Sequence, residues 1–235
     1  MALYHLFLDM AGHDVVEVFG PSGSGKTTTA LLIAKEALSE NKHVVYIDSE
    51  MNLSEAIVKK LKEEGLEYYY MTSDSEIYNF LRNEPVADVY ILDSLGMPIL
   101  RRFAMANAKE RGEMLLRAIA ISGTLKELSK KNNALVLITN QPESEFGKTR
   151  VSEMSLAPFG DKHIYDVKEV WRSKIVARGV SSTVISVFAW RSRKFGYGKE
   201  IFRLAITDRG VKLKVLAKEQ TEEGEQNAEG QEIEE

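Results

Sequence analysis

The chain has 235 residues, 44% of them hydrophobic, with no cysteine and a formal net charge of −4. This length and apolar content suit one large domain with a single core, and the lack of cysteine excludes disulfide bonds and zinc sites built on thiolates. No long apolar span is present either, so the composition predicts a cytoplasmic protein without a membrane-spanning segment.

In chain order, residues 1–14 are short and mixed, and we expect little more than one helical turn there. Residues 15–19 form an apolar run typical of a buried strand. A complete phosphate-loop motif follows, and residues 28–35 have helical spacing, so the loop lies where a strand turns into a helix. The loop residues are Gly20, Pro21, Ser22, Gly23, Ser24, Gly25, Lys26 and Thr27, with Thr28 directly after them.

This motif predicts a binding site for a polyphosphate. The glycines let the backbone turn tightly and point its N–H groups inward, and the helix N-terminus behind them adds the positive end of a dipole. Lys26 would place a positive charge on the β and γ phosphates, and the Thr27 hydroxyl would ligate Mg²⁺. The alternative is a turn rich in glycine and serine that binds nothing.

Strands and helices then alternate as far as residue 140. The predicted strands cover residues 43–47, 67–71, 87–92 and 134–138, and the predicted helices cover residues 54–64, residues 73–82 and a long stretch ending near residue 131. Such alternation implies right-handed crossovers and a parallel sheet that binds ligands at the carboxyl ends of its strands.

The last third of the chain has a different pattern. Further strands are predicted at residues 170–177, 182–190, 200–207 and 211–216. Turn residues separate them, which predicts hairpins. We therefore expect an α/β fold whose mainly parallel central sheet is flanked by helices and extended by C-terminal antiparallel strands.

The chain ends in an acidic segment. Residues 218–235 contain eight Glu and one Lys, a net charge of −7, which leaves +3 for residues 1–217. A segment with one Ile and no other large apolar residue cannot bury enough surface to offset the entropy of ordering it. We therefore expect a folded domain over residues 1–217 and a disordered acidic tail over residues 218–235.

Polar side chains end three predicted strands, and we expect them beside the phosphate loop. Asp93 would hold the Mg²⁺ shell, and its alternative role is a helix cap or a plain polar strand end. Glu50 could polarise a water for attack on the γ-phosphate, with Asp48 as a rival and a surface acid as the alternative. Gln141 could sense the γ-phosphate, or it could simply satisfy backbone groups before Pro142.

Four segments, in this order and at these separations, resemble the core of RecA and of the archaeal RadA recombinases. They are residues 20–27, 46–50, 90–94 and 137–141, and the similarity covers about residues 15–215. The resemblance implies a RecA-like P-loop ATPase that uses ATP and Mg²⁺. Lys26 and Thr27 would bind phosphate and Mg²⁺, Asp93 would be the Walker B acid, Glu50 the catalytic glutamate and Gln141 the nucleotide switch.

The resemblance also implies DNA-binding loops at residues 95–109 and 142–160. The candidates for contact with the phosphates of single-stranded DNA are Arg101, Arg102, Lys109, Arg111, Lys148 and Arg150. Phe103, Phe146 or Phe159 could stack on bases, although core packing is the commoner fate of a single Phe. Arg193 or Lys194 could touch ATP held by a neighbouring subunit, and the alternative is a solvated hairpin tip.

RadA-type recombinases carry an N-terminal helical domain and a Phe-x-x-Ala docking segment, and the residues before Val15 are too few for either. We therefore expect a core-only RadA paralogue, similar to archaeal RadB. Its expected role is that of an accessory protein beside a RadA-type recombinase. An oligomer stays open, whereas a strand-exchange filament is not expected.

Three functions stay open on the sequence alone. The first is a DNA-bound or DNA-stimulated ATPase that acts as a mediator in homologous recombination and repair. The second is a nucleotide-gated binding module with little or no hydrolysis. The third is a kinase for a small metabolite, although the sequence shows no arginine-rich lid for that reaction.

Overall fold

The computed structural model describes residues 2–103, 106–141 and 167–216 of the chain. Its helices in these ranges are α1 Leu3–Ala11, α2 Lys26–Ser39, α3 Glu55–Glu63, α4 Asp74–Arg82, α5 Gly96–Phe103 and α6 Ala108–Asn132. The strands are β1 Val15–Phe19, β2 Val44–Asp48, β3 Glu67–Tyr70, β4 Val89–Asp93, β5 Leu135–Asn140, β6 Glu169–Arg178, β7 Ser182–Arg191, β8 Glu200–Thr207 and β9 Gly210–Val215.

The nine strands of the described residues form one sheet in the order β3-β2-β4-β5-β1-β6-β7-β8-β9. The pairs from β3 to β6 are parallel, and the pairs from β6 to β9 are antiparallel. This topology confirms the predicted fold class. It also brings the carboxyl ends of β1, β2, β4 and β5 to one edge of the sheet, where a ligand site is expected.

Two hydrophobic clusters cover the two faces of the sheet. On one face α1 and α2 pack on the strands through residues such as Phe7, Ile33 and Trp171. On the other face α4 and α6 contribute Ile77 and Leu125 among others. Full burial of each such side chain is worth about 1.5–3 kcal/mol, so these clusters hold the strand ends in place.

The N-terminal helix is longer than the single turn expected from the sequence. α1 has nine residues, and Leu3, Leu6 and Phe7 on it are fully buried. Their spacing of three and four residues places them on one helix face. The Phe7 ring meets the Trp171 ring edge-on, with 4.5 Å between the centroids, so α1 is an integral part of the core.

Residues 95–109 also differ from the expected loop, because they contain α5. Pro98 lies in the first turn of this helix, where a missing backbone N–H costs nothing. The hydroxyl of Ser94 accepts a hydrogen bond from the Met97 N–H at 3.3 Å, as a helix cap does. Leu95 and Ile99 are buried in the second cluster. This part of the chain is therefore anchored to the sheet.

No helix in the described residues is both long and apolar enough to cross a membrane.

Candidate active site

The phosphate loop joins β1 to α2 and is tightly enclosed. Gly23 and Gly25 have φ of 73° and 86°, in the left-handed region that favours glycine. A Cβ atom on Gly20 would lie 2.3 Å from the carbonyl oxygen of Ser173, and one on Gly25 would lie 2.0 Å from Ile185. A side chain at position 20 would collide with the backbone of β6, and the left-handed φ of Gly25 disfavours any other residue there.

Lys26 begins α2 and points back into the loop. Its Nζ donates to the carbonyl oxygens of Gly20, at 2.9 Å, and Pro21, at 3.0 Å, and the residue is 5% exposed. Burial lowers the pKa of Lys26, and the negative charges of Glu50 and Asp93 oppose this effect. A cation held inside a ring of backbone groups fits a phosphate ligand.

Asp93 ends β4 and lies against the loop, 1% exposed. Tyr46 donates its hydroxyl to one carboxylate oxygen at 2.8 Å, Thr139 donates to the other, and Thr27 also hydrogen-bonds this carboxylate. Burial raises the pKa of Asp93, while these hydrogen bonds lower it. The fold therefore brings together the two expected Mg²⁺ ligands, Thr27 and Asp93.

These two ligands alone do not form a metal cage. The described residues contain no group of three or more His, Cys, Asp or Glu that could hold a metal ion. Mg²⁺ usually takes one or two protein oxygens and completes its octahedron with phosphate oxygens and water. The donor set at Thr27 and Asp93 therefore fits Mg²⁺ bound together with a nucleotide.

Glu50 and Gln141 meet at the same edge of the sheet. The side-chain amide of Gln141 donates to both carboxylate oxygens of Glu50, at 3.2 and 3.1 Å. Asn52 donates to Glu50 as well, at 2.5 Å. The candidate base and the candidate switch are thus in direct contact, although 91 residues separate them in the chain.

Asp48 was the alternative to Glu50 as the candidate base. Both of its carboxylate oxygens accept hydrogen bonds around the turn after β2. One of its oxygens accepts the backbone N–H groups of Glu50 and Met51, at 2.9 and 2.8 Å, and the other accepts the Tyr68 hydroxyl at 2.8 Å. The residue is 1% exposed. Asp48 therefore fixes the turn that presents Glu50, and Glu50 is the acid with access to the site.

A second buried polar pair, Glu17 and Asn140, was not predicted from the sequence. The Asn140 amide donates to Glu17 at 3.1 Å and its oxygen accepts the Gln141 N–H at 3.1 Å. The other oxygen of Glu17 has no hydrogen-bond partner, and burial raises the pKa of Glu17 to about 7. The sequence signal for this pair was Glu17 itself, an acid in the middle of the apolar strand β1.

The candidate DNA contacts are only partly within the described residues. Arg101 and Arg102 lie in α5, and Lys109 and Arg111 lie in the first turn of α6. The Lys109 Nζ is 3.9 Å from Glu113. Lys148 and Arg150, together with Phe146 and Phe159, lie outside the described residues, as does the predicted tail.

Arg193 and Lys194 lie in the turn after β7, far from the phosphate loop of their own chain. The Arg193 guanidinium is 3.5 Å from Glu169 and 3.7 Å from Asp14, which precedes β1. Lys194 donates to the carbonyl oxygen of Asp9. The phosphate loop follows the opposite end of β1, so any nucleotide contact by these residues requires a second subunit.

A mainly parallel sheet with a phosphate loop after its central strand defines the class of this chain: a P-loop protein with a RecA-like core. The RecA N-terminal domain family matches residues 10–153, which is more than half of the sequence. The chain therefore belongs to the RecA family.

Relatives place it close to one branch of that family. It is 26% identical over 211 residues to the DNA repair and recombination protein RadB of Methanococcus maripaludis strain C7, covering 85% of this chain and 91% of that protein. It is 28% identical over 226 residues to Protein RecA of Marinobacter nauticus, covering 84% of this chain but 63% of that protein. The chain thus spans less than two thirds of this RecA.

A solved structure shows the same fold. The crystal structure of the RadB recombinase aligns with a TM-score of 0.61 at 22% identity, over 86% of this chain and 91% of that one. Together these similarities confirm the predicted resemblance to the RecA and RadA proteins and to a RadB-like paralogue.

Proposed function

We propose that this protein is a Mg²⁺-dependent ATPase that acts as an accessory mediator in homologous recombination and DNA repair. The observation that supports it most directly is the contact between Glu50 and Gln141 beside the phosphate loop. The names of the RadB and RecA relatives support the biological setting. They do not favour a metabolite kinase.

ATP would be held by the loop that now encloses Lys26. MgATP, when bound, supplies an electrophilic γ-phosphorus and a metal that neutralises charge on the phosphates. Lys26 and the N–H groups from Gly23 onward would donate to the phosphate oxygens. Thr27 and Asp93 hold Mg²⁺, and Asp93 is kept ready for it by Tyr46 and Thr139.

Glu50 acts as the general base and Gln141 as the switch. A carboxylate at the end of β2 can accept a proton from a water attacking in line. The Gln141 amide that now donates to Glu50 would turn toward the γ-phosphate and leave Glu50 free for the water. Because Gln141 directly precedes the segment from residue 142 onward, this movement would carry the nucleotide state into that segment.

Single-stranded DNA is the proposed polyanionic partner. Arg101, Arg102, Lys109 and Arg111 follow the strand that ends at Asp93, and Lys148 and Arg150 follow the strand that ends at Asn140. DNA contacts made by either group of basic residues would be coupled to the nucleotide through the end of the strand that precedes the group. A RadA-type recombinase is the proposed protein partner. Separately, in an oligomer of this chain, Arg193 or Lys194 would reach the ATP held by a neighbouring subunit.

The substitution Glu50→Gln tests the assignment. We expect the affinity for MgATP to change by no more than about twofold, and single-turnover hydrolysis to fall by about 10²-fold, the usual contribution of a general base. Glu55→Gln, on the exposed start of α3, makes the same chemical change outside the site. Equal hydrolysis by the Glu50→Gln variant and the wild type would contradict the assignment, and no hydrolysis by either protein, with MgATP still bound, would leave a nucleotide-gated binding module.

A further inference from the structure

The last residue of β5, Asn140, is fully buried and connects several elements. Its backbone carbonyl oxygen accepts the N–H of Gly20, the first residue of the phosphate loop, at 3.3 Å. Its side chain lies against Glu17 of β1, against Gln141 and against Gly96 of α5. One buried amide therefore joins β1, the start of α5 and the residue that opens the segment after β5.

Partners at both ends fix the orientation of this amide. The Asn140 Nδ2 donates to Oε1 of Glu17 at 3.1 Å, and Oδ1 accepts the backbone N–H of Gln141 at 3.1 Å. Because a backbone N–H only donates, Oδ1 must face Gln141 and Nδ2 must face Glu17. Oε2 of Glu17 has no hydrogen-bond partner among the described residues, so a proton on this acid would leave Oε1 as an acceptor. The amide keeps one orientation in either charge state of Glu17.

The start of α5 presses directly on this amide. A Cβ atom on Gly96, which is buried, would lie 2.5 Å from Oδ1 of Asn140, well inside normal packing distance. The backbone N–H of Leu95, just before Gly96, donates to the carbonyl oxygen of Thr139 at 3.1 Å. A shift of α5 toward β5 must therefore move Oδ1, the atom that accepts the Gln141 N–H.

Stability alone does not account for the pair of Glu17 and Asn140. Glu17 lies opposite Ile138 of β5, on the side of the sheet that the second cluster covers. Replacing both members of a buried polar pair by apolar groups of the same shape is often neutral or stabilising. A buried oxygen without a partner makes this pair costlier still. The contacts that Asn140 makes at the strand end are thus the better explanation.

We propose that Asn140 is a positioning residue that transmits a displacement of α5 to Gln141, and that Glu17 keeps its amide in the orientation this requires. The inference rests on the proposed function, in which Gln141 is the switch and α5 carries the candidate DNA contacts Arg101 and Arg102. DNA bound at α5 would then act on the switch without passing through the segment after residue 141.

The first measurement needs neither ATP nor DNA. The chain has four Gln, three of them in residues 218–235, so isotope-labelled glutamine gives a simple amide spectrum of the full chain in which Gln141→Ala assigns one signal. Gly96→Ala should shift the Gln141 amide proton upfield and speed its exchange with solvent by about tenfold, because its acceptor is displaced. An unchanged Gln141 amide would overturn the proposal.

Gly112→Ala in α6 is the matched control for Gly96→Ala. It makes the same change within a helix, but a Cβ atom there meets no atom within 4 Å in the described part of the chain. The Gln141 amide should keep its wild-type shift and exchange rate in this variant. An equal change in both variants would mean that the Gly96 contact has no special role, and the proposal would fail.

Exchanging the two polar groups tests the role of Glu17. Asn140→Leu, of similar size, removes the acceptor of the Gln141 N–H and should give the same upfield shift. In Glu17→Gln with Asn140→Asp, the amide at position 17 donates to the carboxylate at position 140, whose other oxygen accepts the Gln141 N–H. This double variant should recover the wild-type signal. If Asn140→Leu does not fold, the double variant and Gly96→Ala still decide.

Kinetics then test whether the switch uses this contact. Gly96→Ala should reduce the rise in ATPase rate on adding single-stranded DNA about threefold or more, with KM for MgATP within about twofold, because Lys26 and the loop N–H groups are unchanged. In the Asn140→Leu background Gly96→Ala should have no further effect. Fully additive effects of the two substitutions would contradict transmission through Asn140.

The two measurements separate this inference from the proposed function. If the wild-type chain does not hydrolyse ATP, the proposed function fails, and the Gln141 amide signal alone supports or overturns the contact between α5 and Gln141. If DNA stimulates the wild-type ATPase but the Gln141 amide does not respond to Gly96→Ala, the proposed function stands and the inference fails.

Discussion

The side-chain amide of Gln141 donates to both carboxylate oxygens of Glu50, across the edge of the sheet where β2 and β5 end. An amide in this position holds the acid in one rotamer and occupies the lone pairs that a water would use. The contact therefore links the start of the segment after β5 to the proposed base.

Gln141→Ala is expected to uncouple DNA binding from the nucleotide. The variant should bind MgATP within about twofold of the wild type, because the loop backbone, Lys26 and Thr27 make the main contacts proposed for the phosphates and Mg²⁺. Its affinity for single-stranded DNA should no longer rise when a non-hydrolysable ATP analogue is added. Fluorescence anisotropy with and without the analogue measures both quantities.

Asn52→Ala is the control for this variant. It removes the other amide that donates to Glu50, but Asn52 does not lead into the segment after β5. Nucleotide-dependent DNA binding should survive in Asn52→Ala. Identical behaviour of the two variants would show that the Gln141 contact has no special role in coupling.

Asp48→Ala should slow hydrolysis without weakening ATP binding. Two backbone N–H groups and one hydroxyl lose their acceptor, so the turn presenting Glu50 loosens. A misplaced base costs about tenfold or more in single-turnover rate. Asp48→Asn keeps an oxygen for the two N–H groups and should recover most of the rate. A loss of ATP affinity equal to the loss of rate would contradict this positioning role.

Glu17 should make the protein less stable as the pH rises. Its pKa is raised from 4.5 to about 7 in the folded state, mainly by burial, so the folded chain binds this proton more tightly than the unfolded chain. The stabilisation is complete below about pH 4.5 and is lost as the pH passes through 7, a change of about 3 kcal/mol.

Urea unfolding at pH 5 and pH 8 measures this effect. The difference in unfolding free energy between the two pH values should shrink in Glu17→Gln, which cannot ionise, and stay at the wild-type value in the exposed control Glu63→Gln. An unchanged difference in Glu17→Gln would show that Glu17 does not titrate in this range.

Arg193→Ala and Lys194→Ala test the contact across a subunit interface. Both should lower ATPase rate and ATP-dependent self-association, while Arg209→Ala, at the exposed turn before β9, should change neither. Arg193 also contacts Glu169, which is fully buried, so its loss can reduce stability as well. Lys194 instead donates to the backbone carbonyl of Asp9, so Lys194→Ala tests the interface without removing the contact with Glu169. Unchanged rate and association in both variants would end the interface proposal.

The sequence predicted most of the sheet because its parallel strands are short apolar runs with clear ends. The helix over α4 was also predicted from Ser73 and Glu76, and the structure shows the capping box that they form. α1 was predicted as little more than one turn and α5 was not predicted, both for local reasons. α1 has only nine residues, which is short for a clear helical period. α5 begins with Gly96 and contains Pro98, which weakens its helical pattern.

The residues of the candidate site likewise include some that the sequence predicted and some that it did not. Lys26, Thr27 and Asp93 could be predicted because a motif and a strand end mark them. The pair of Glu17 and Asn140 could not, because the two residues are 123 positions apart and meet only when β1 lies beside β5. Likewise, Asp48 and Glu50 looked equivalent in sequence until the backbone turn between them was known.

The phosphate loop is proposed to be the site of an ATPase that responds to DNA. The steady-state ATPase rate of the full chain, with and without single-stranded DNA and with Lys26→Ala as the blank, tests it most directly. We expect a rate above the blank that DNA increases several-fold. A rate equal to the blank in both conditions, with ATP still bound, would contradict the claim.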